Sequence, residues 1–424
     1  MPAVVVVGAQ WGDEGKGKVV DLFSGFSDQV VRYSGGANAG HTMVVQGEKL
    51  IFHLIPCGAL HPNIDCVLGQ GMVVNPEVLI EEIDLLNQRG LFQPSRFLLS
   101  DRAHLVMPQH LLIDELRERG KGAIGTTKRG IGPTYEDKVA RRGLRVGDLL
   151  SPARFRSKLE DNLEVLKPTI VALGGEIPDI AAVFESYMKF GERLKPIIGD
   201  ASRRVYSALM NGSKVLMEGA QGTMLDIDGG TYPFVTSSST VAGSACIGAG
   251  IGPTHISEVY GVSKAYTTRV GHGPFPSELK GELAEELRER GGEYGATTGR
   301  PRRCGWLDIP ALRLAVRANG LTGIALTKVD VLTGQDRIQL CVEYELDGKK
   351  LEFPPFEDLD RVRAVYQTLP GWKEPLGDCR SIDDLPQNAK KYINVIEKAV
   401  QCPVTLLGVG PDREQTIVVR FPFK

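Results

Sequence analysis

The chain has 424 residues, with 50 basic and 52 acidic side chains and a net charge of −2, so no bulk field draws it to nucleic acid or an anionic membrane. Its apolar fraction of 42 % suffices for a large core, and 50 glycines, against roughly 30 at the ~7 % average, point to elaborate loops. Seven cysteines, odd in number and never spaced CxxC, argue against a disulfide framework and suit a reducing compartment. Without a basic, apolar leader or an apolar run near ~18 residues, the expectation is a soluble cytoplasmic protein.

In chain order, Val4–Gly8 predicts a buried strand that runs straight into a glycine loop, Gly8-Ala-Gln-Trp-Gly12-Asp13-Glu14-Gly15-Lys16-Gly17-Lys18, and then a helix. Strand, glycine loop and helix make a phosphate cradle, in which backbone N–H groups and the helix N-terminus face an anion and Lys16 and Lys18 supply counter-charge. Gly12 to Lys18 fits GxxxxGK, but Val19 stands where a Walker loop has Ser or Thr. The usual metal-binding hydroxyl is missing, and Asp13 is the nearest carboxylate to replace it.

The strand Val30–Tyr33 leads into Ser34-Gly-Gly-Ala-Asn38-Ala39-Gly40-His41-Thr42. Open α/β sheets place ligands at such strand ends. Asn38 offers an amide, Gly40 a bare carbonyl, and His41 an acid/base or phosphate donor. His53, Cys57, His61 and Cys66 crowd the apolar stretch that follows, where free cysteines are read as small buried hydrophobes rather than as metal ligands.

Strands are further expected at Val67–Gly69, Phe97–Ser100, Val215–Gly219, Val259–Tyr266, Gly323–Asp330 and Val404–Gly408. Amphipathic helices are expected at Gln109–Arg119 and at Ser151–Leu166, the latter with a Ser N-cap and Pro at its first position. The span from about 151 to 212 reads as wholly helical, a subdomain packed on the sheet. Arg337–Leu346 alternates and is followed by Asp-Gly, a hairpin signal. The pattern gives the fold class α/β: a mostly parallel central sheet with helices on both faces, with a helical insertion and small antiparallel additions and no linker that cleanly separates domains.

Two separate cationic loops stand out. Gly125-Thr126-Thr127-Lys128-Arg129-Gly130, with Arg141 and Arg142, is one; Gly295-Ala296-Thr297-Thr298-Gly299-Arg300-Pro301-Arg302-Arg303 is the other. Such guanidinium density clamps carboxylates or phosphates, so two further anionic substrates are implied beside a nucleotide. Thr327-Lys328-Val329-Asp330 is similar to the NKxD guanine-reading element of GTPases, whose carboxylate accepts from N1–H and the N2 amine. That favours GTP over ATP.

In this order, QWGDEGKGK, GGANAGHT, GTTKRGIGP, EGAQG, TTGRPRRCGWLD, TKVD and GPDR span essentially the whole chain. The set resembles the adenylosuccinate synthetase family, with Lys128 a small departure between functional positions. That likeness implies a P-loop-NTPase-like sheet and a single unit over 1–424. The resemblance implies condensation of IMP with L-aspartate, driven by GTP through a 6-phosphoryl-IMP intermediate, with one Mg²⁺ per subunit held by Asp13 and the Gly40 carbonyl. Asp13 would be the general base at N1, and His41 would assist phosphoryl transfer. Around GTP it places Gly12, Asp13, Glu14, Gly15, Lys16, Gly17, Lys18, Gly40, His41, Thr42, Arg302, Lys328, Val329, Asp330, Gly408, Val409 and Gly410. Around IMP it places Asp13, Glu14, Gly15, Lys16, Asn38, Ala39, Gly40, His41, Thr127, Gln221, Thr236 and Arg300, with Arg141 reaching in from the other subunit of a homodimer. Ala296 through Arg302 would clamp aspartate. A regulatory GTP-binding switch is the alternative, and an ATP-dependent ligase the nearer enzymatic rival.

Overall fold

Along the strand Ala3–Gly8, Val4 and Val6 pack into one apolar cluster while Ala3, Val5 and Val7 pack into another, and all five are fully buried. A strand apolar on both sides belongs in the middle of a covered parallel sheet. The computed structural model describes residues 3–45, 48–120, 123–295 and 299–423, and in it this strand lies at the centre of a ten-stranded sheet.

Numbered along the chain, the sheet strands are β1 Ala3–Gly8, β2 Gln29–Arg32, β3 Asp65–Leu68, β4 Phe97–Ser100, β5 Ile198–Gly199, β6 Val215–Glu218, β7 Ile256–Lys264, β8 Gly323–Thr327, β9 Val404–Gly408 and β10 Thr416–Val418. Across the sheet they run β10-β9-β8-β7-β1-β6-β2-β3-β4-β5. Every neighbouring pair is parallel except β9 and β10. The chain leaves β1 toward β2 on one side and leaves β7 toward β8 on the other. The loops following β1 and β7 therefore diverge, which opens a crevice at the strand C-termini.

Each expected sheet strand is present; Phe97–Ser100 and Val404–Gly408 have the expected bounds, and the others have one or both ends shifted. β8 stops at Thr327, because Lys328 takes a left-handed conformation (φ 57°) and Val329–Leu332 turns into a short 3₁₀ helix. The expected helices run Pro108–Arg117 and Pro152–Ala172. Ser151 occupies the N-cap of the second but makes no side-chain capping bond. The span 151–212 is not wholly helical. After the helices Pro152–Ala172 and Ile180–Leu194, the chain drops into the sheet edge as β5 before the helix Ala201–Met210. Phe155, Leu159, Val183 and Tyr187 pack on one sheet face, whereas Ala201, Val205 and Leu209 pack on the other. The antiparallel addition forms as expected: Arg337–Leu346 pairs with Lys349–Leu351 through Asp347 (φ 50°) and Gly348 (φ 76°), and also with Arg363–Pro370.

Candidate active site

The loop between β1 and the helix Lys16–Ser24 is folded around its own acid. Glu14 is fully buried; its Oε1 accepts from the backbone N–H of Gln10 (3.0 Å) and of Gly12 (2.9 Å), and its Oε2 accepts from Lys16 Nζ (2.6 Å). The Glu14 side chain thus shapes the cradle and does not face the cavity. Gly12, Gly15 and Asp13 all have positive φ, at 84°, 92° and 58°. Close approach fixes two further glycines: a Cβ on Gly8 would meet the Gln221 carbonyl oxygen at 2.4 Å, and one on Gly222 would meet the Gln10 carbonyl oxygen at 2.4 Å and the Gly12 nitrogen at 2.5 Å. The loop after β6 can therefore lie directly on the phosphate loop.

Gly12, Asp13, Gly15, Lys16, Gly17 and Lys18 line a cavity of about 1250 Å³ at the C-terminal end of the sheet. Asn38, Ala39, Gly40 and His41 line it from the β2 side, Thr127 from the first cationic loop, and Gln221 and Thr236 from the segment after β6. Arg300, Arg302, Lys328, Gly408 and Gly410 close the opposite wall. Asp330 and Val409 face a smaller adjoining cavity of about 290 Å³, and Gly410 borders both. Lys18 Nζ bridges the two by donating to the carbonyls of Gly410 (2.7 Å) and Gln415 (3.1 Å), and burial pulls its pKa down to about 8.

Besides Glu14, four described positions expected at the site do not line these cavities: Val329, Gly299, Pro301 and Arg141. Val329 is buried beneath the wall. Gly299 and Pro301, expected in an aspartate clamp, do not face the cavity, while Ala296, Thr297 and Thr298 and the Thr42 side chain lie outside the described residues. Arg141 is exposed and does not line this chain's own cavity. Two guanidiniums counted toward the cationic loops turn elsewhere: Arg303 pairs with Glu278 through Nε (2.7 Å) and Nη2 (2.5 Å), and Arg142 donates from Nε to Asp137 (2.5 Å).

His41 begins the strand His41–Val45 and is 6 % exposed. Its Nδ1 lies 2.5 Å from Glu218 Oε1 at the end of β6, and Glu218 Oε2 accepts from the Cys57 backbone N–H (2.8 Å). Burial lowers the pKa of His41, with Glu218 opposing in part. Burial alone would raise Glu218, but His41 and Arg32 bring it below the usual carboxylate range. Both directions describe a neutral imidazole whose Nδ1–H donates to a carboxylate. Its Nε2 has no partner among the described residues.

Asp13 Oδ2 accepts from Arg302 Nε (2.7 Å), and Arg302 Nη1 donates to Glu293 Oε2 (2.6 Å). Glu293, fully buried, also accepts from Lys264 Nζ (2.7 Å), Lys328 Nζ (2.9 Å) and the Tyr266 hydroxyl (2.5 Å). The GTT loop is tied down by helix acids: Asp114 accepts from Thr126 Oγ1 and the Gly130 N–H, and Glu118 accepts from the Ile124 and Gly125 N–H groups. Sequence reasoning missed Glu218, Glu293, Asp114 and Glu118 as site-builders. Only Glu218 had a signal, as an acid ending an otherwise apolar strand. The cluster His53, Cys57, His61 and Cys66 is dispersed: His53 faces the Ala39 carbonyl, His61 pairs with Asp21, and Cys66 sits by the Ile64 carbonyl.

A family model described as adenylosuccinate synthetase matches residues 5–417. This chain belongs to the adenylosuccinate synthetase family. An adenylosuccinate synthetase from Sorangium cellulosum (strain So ce56) is 54 % identical over 427 residues, covering 100 % of both chains. One from Myxococcus xanthus (strain DK1622) is 53 % identical over 435 residues with the same coverage. Among solved structures, fully ligated adenylosuccinate synthetase from Plasmodium falciparum aligns with a TM-score of 0.93 and 42 % identity, over 99 % of this chain and 100 % of that one. As an adenylosuccinate synthetase, the chain is a GTP-dependent ligase that forms the C–N bond between IMP and L-aspartate. The regulatory switch that the sequence also allowed finds no support. Among the described residues no helix is long and apolar enough to cross a membrane.

Proposed function

We propose that Asp13 and His41 carry the two halves of this chemistry in one cavity. The 6-oxygen of IMP leaves poorly as hydroxide, so it must first be phosphorylated. Asp13 takes the proton from N1 of IMP; O6 then attacks the γ-phosphorus and GDP departs. His41 bonds through Nε2 to the transferring group, its orientation held by Glu218. In the second step the aspartate amine attacks C6, the C6–O bond breaks, phosphate leaves with the electron pair, and the proton shed by the amine nitrogen goes to the departing phosphate. Lys16 and Lys18 flank the triphosphate, Asp330 reads guanine, and Arg300 and Arg302 hold aspartate carboxylates. The observation that carries the reading is Asp13. It is held in a left-handed loop conformation, lines the cavity and is bonded to Arg302, which supports a place for it between the phosphate loop and the wall that Arg300 and Arg302 form.

A hard cation fits here: the Asp13 carboxylate and the Gly40 carbonyl both line the cavity, and Arg302 engages one Asp13 oxygen only through Oδ2. Mg²⁺ bound there would neutralise charge on the phosphates. Arg141 is exposed and is not part of this chain's own cavity lining, which supports a homodimer in which it serves the partner's IMP site. Val139, 79 % exposed yet on the cavity rim, supports the same face as the contact. Loops from Gly12 to Gly410 meet in one site, which supports treating 1–424 as one unit; seven free cysteines suit a reducing compartment such as the cytoplasm. Phosphate release from GTP tests the whole reading: it should require IMP and aspartate together, and release indifferent to both would refute it.

A further inference from the structure

Glu293 does not line the cavity, yet its carboxylate holds four donors from four places. Oε1 accepts from Lys328 at the end of β8 and from Tyr266 after β7; Oε2 accepts from Lys264 at the end of β7 and from Arg302 at the base of the aspartate loop. The backbone joins the same groups, since the Arg302 N–H donates to the Glu293 carbonyl (2.9 Å) and the Gly295 N–H to the Arg300 carbonyl (2.8 Å), closing the loop at its base. Lys328 Nζ also donates to the Gly291 carbonyl (2.5 Å). Exposure rises along the chain of contacts. Lys264 and Glu293 are fully buried, Arg302 is 10 % exposed, and Lys328 and Asp13 are 30 % and 38 % exposed.

We infer that Glu293 is a positioning residue that couples occupancy of the guanine pocket to the geometry of the aspartate loop. The inference rests on the reading of Lys328–Asp330 as the guanine reader and of 295–302 as the aspartate clamp. A carboxylate is rigid and planar, so its two oxygens cannot be displaced independently. A base resting on the Lys328 stem fixes Nζ, hence Oε1, hence Oε2, and hence the Arg302 guanidinium. Arg302 carries the constraint onward to Asp13 through Nε. Three cations converge here on two carboxylates, Glu293 and Asp13, and the surplus positive charge makes Arg302 the member most readily drawn to an incoming carboxylate. A buried pair is poor evidence for stability, but a buried hub with satisfied donors suits a role in specifying one arrangement.

The coupling is reciprocal and has a measurable size. With inosine triphosphate, which lacks the guanine N2 amine, the guanine pocket is filled less firmly. In the wild-type chain the aspartate KM should then be about five-fold higher with inosine triphosphate than with GTP, the low end of typical coupling. In Glu293→Gln the ratio should fall to about one while both nucleotides still support turnover. Since Gln leaves Lys264 buried beside a neutral amide, Glu293→Gln with Lys264→Met provides a charge-compensated version that should show the same loss. A wild-type ratio of one, or a ratio unchanged in either folded variant, overturns the inference. Failure of the wild-type chain to form adenylosuccinate from GTP would instead overturn the functional reading beneath it.

Discussion

Glu218 Oε1 sits 2.5 Å from His41 Nδ1, at the end of a strand whose other residues are apolar. The contact decides which ring nitrogen faces the substrates, because a carboxylate on Nδ1 leaves Nε2 for the cavity. Glu218→Gln keeps the shape but removes the charge that favours a second proton on the ring. We expect kcat to fall roughly 10²-fold with the GTP KM within about three-fold. Steady-state kinetics over GTP concentration checks this, and a change confined to KM would contradict it.

The free protein holds His41 neutral, because burial lowers its pKa from an ordinary value of 6.5. To donate from Nε2 while Nδ1–H stays on Glu218, the ring must gain a proton. The triphosphate supplies the negative charge that draws one in, so the sign is uptake on binding, and GTP affinity should rise as pH falls, levelling off only below the depressed pKa of His41 in the free protein. Calorimetric titration in buffers of different ionisation enthalpy should report up to about one proton taken up, and almost none in His41→Asn. Proton release would overturn it.

Asp330 faces the smaller cavity, with burial raising its carboxyl pKa and Lys18 and Lys328 opposing. If Asp330 reads guanine as proposed, in Asp330→Asn an amide donor meets the two donors of guanine, whereas xanthine carries a carbonyl at position 2. Preference should move from GTP toward XTP by about 10²-fold, roughly 3 kcal/mol. Comparing kcat/KM for the two nucleotides is the test.

Gly222→Ala forces a methyl into the 2.4–2.5 Å gaps against Gln10, Gly12 and Glu14. All of these are the phosphate loop's own scaffold. GTP binding should weaken by at least 10²-fold, about 3 kcal/mol, while far-UV circular dichroism stays that of the wild type. Retained GTP affinity would mean the loop tolerates displacement.

Arg141→Leu and Asp13→Ala should each inactivate the homodimer. If Arg141 serves the partner's site, mixing the variants with subunit exchange places both defects in one site of each heterodimer and leaves the other intact. Random exchange then restores about a quarter of wild-type activity. Confirmed exchange without recovery would assign Arg141 to its own chain's site or to none.

The sheet was legible because its strands are apolar on both sides and bounded by glycine or polar residues. β5, two residues long, and β10, three, are too short to carry a pattern. The cavity loops were legible as glycine and charge clusters at strand ends. Their supports were not: Glu293 lies in GGEYG, which reads as an exposed turn, and its bond to Lys264 spans 29 positions without periodic trace. Arg303 misled for the converse reason, since nothing local shows that Glu278 claims its guanidinium.

Lys18 and the Gly410 carbonyl it binds are 392 positions apart. A chain that has collapsed around β1 and β2 alone owns a phosphate loop with nothing to complete the base pocket. Nucleotide affinity should therefore arrive only once β9 has docked, since contacts of such sequence separation form against the greatest loop-closure entropy. GTP then favours the fully assembled chain over every partly folded form, acting as a thermodynamic proofreader of its own enzyme's maturation.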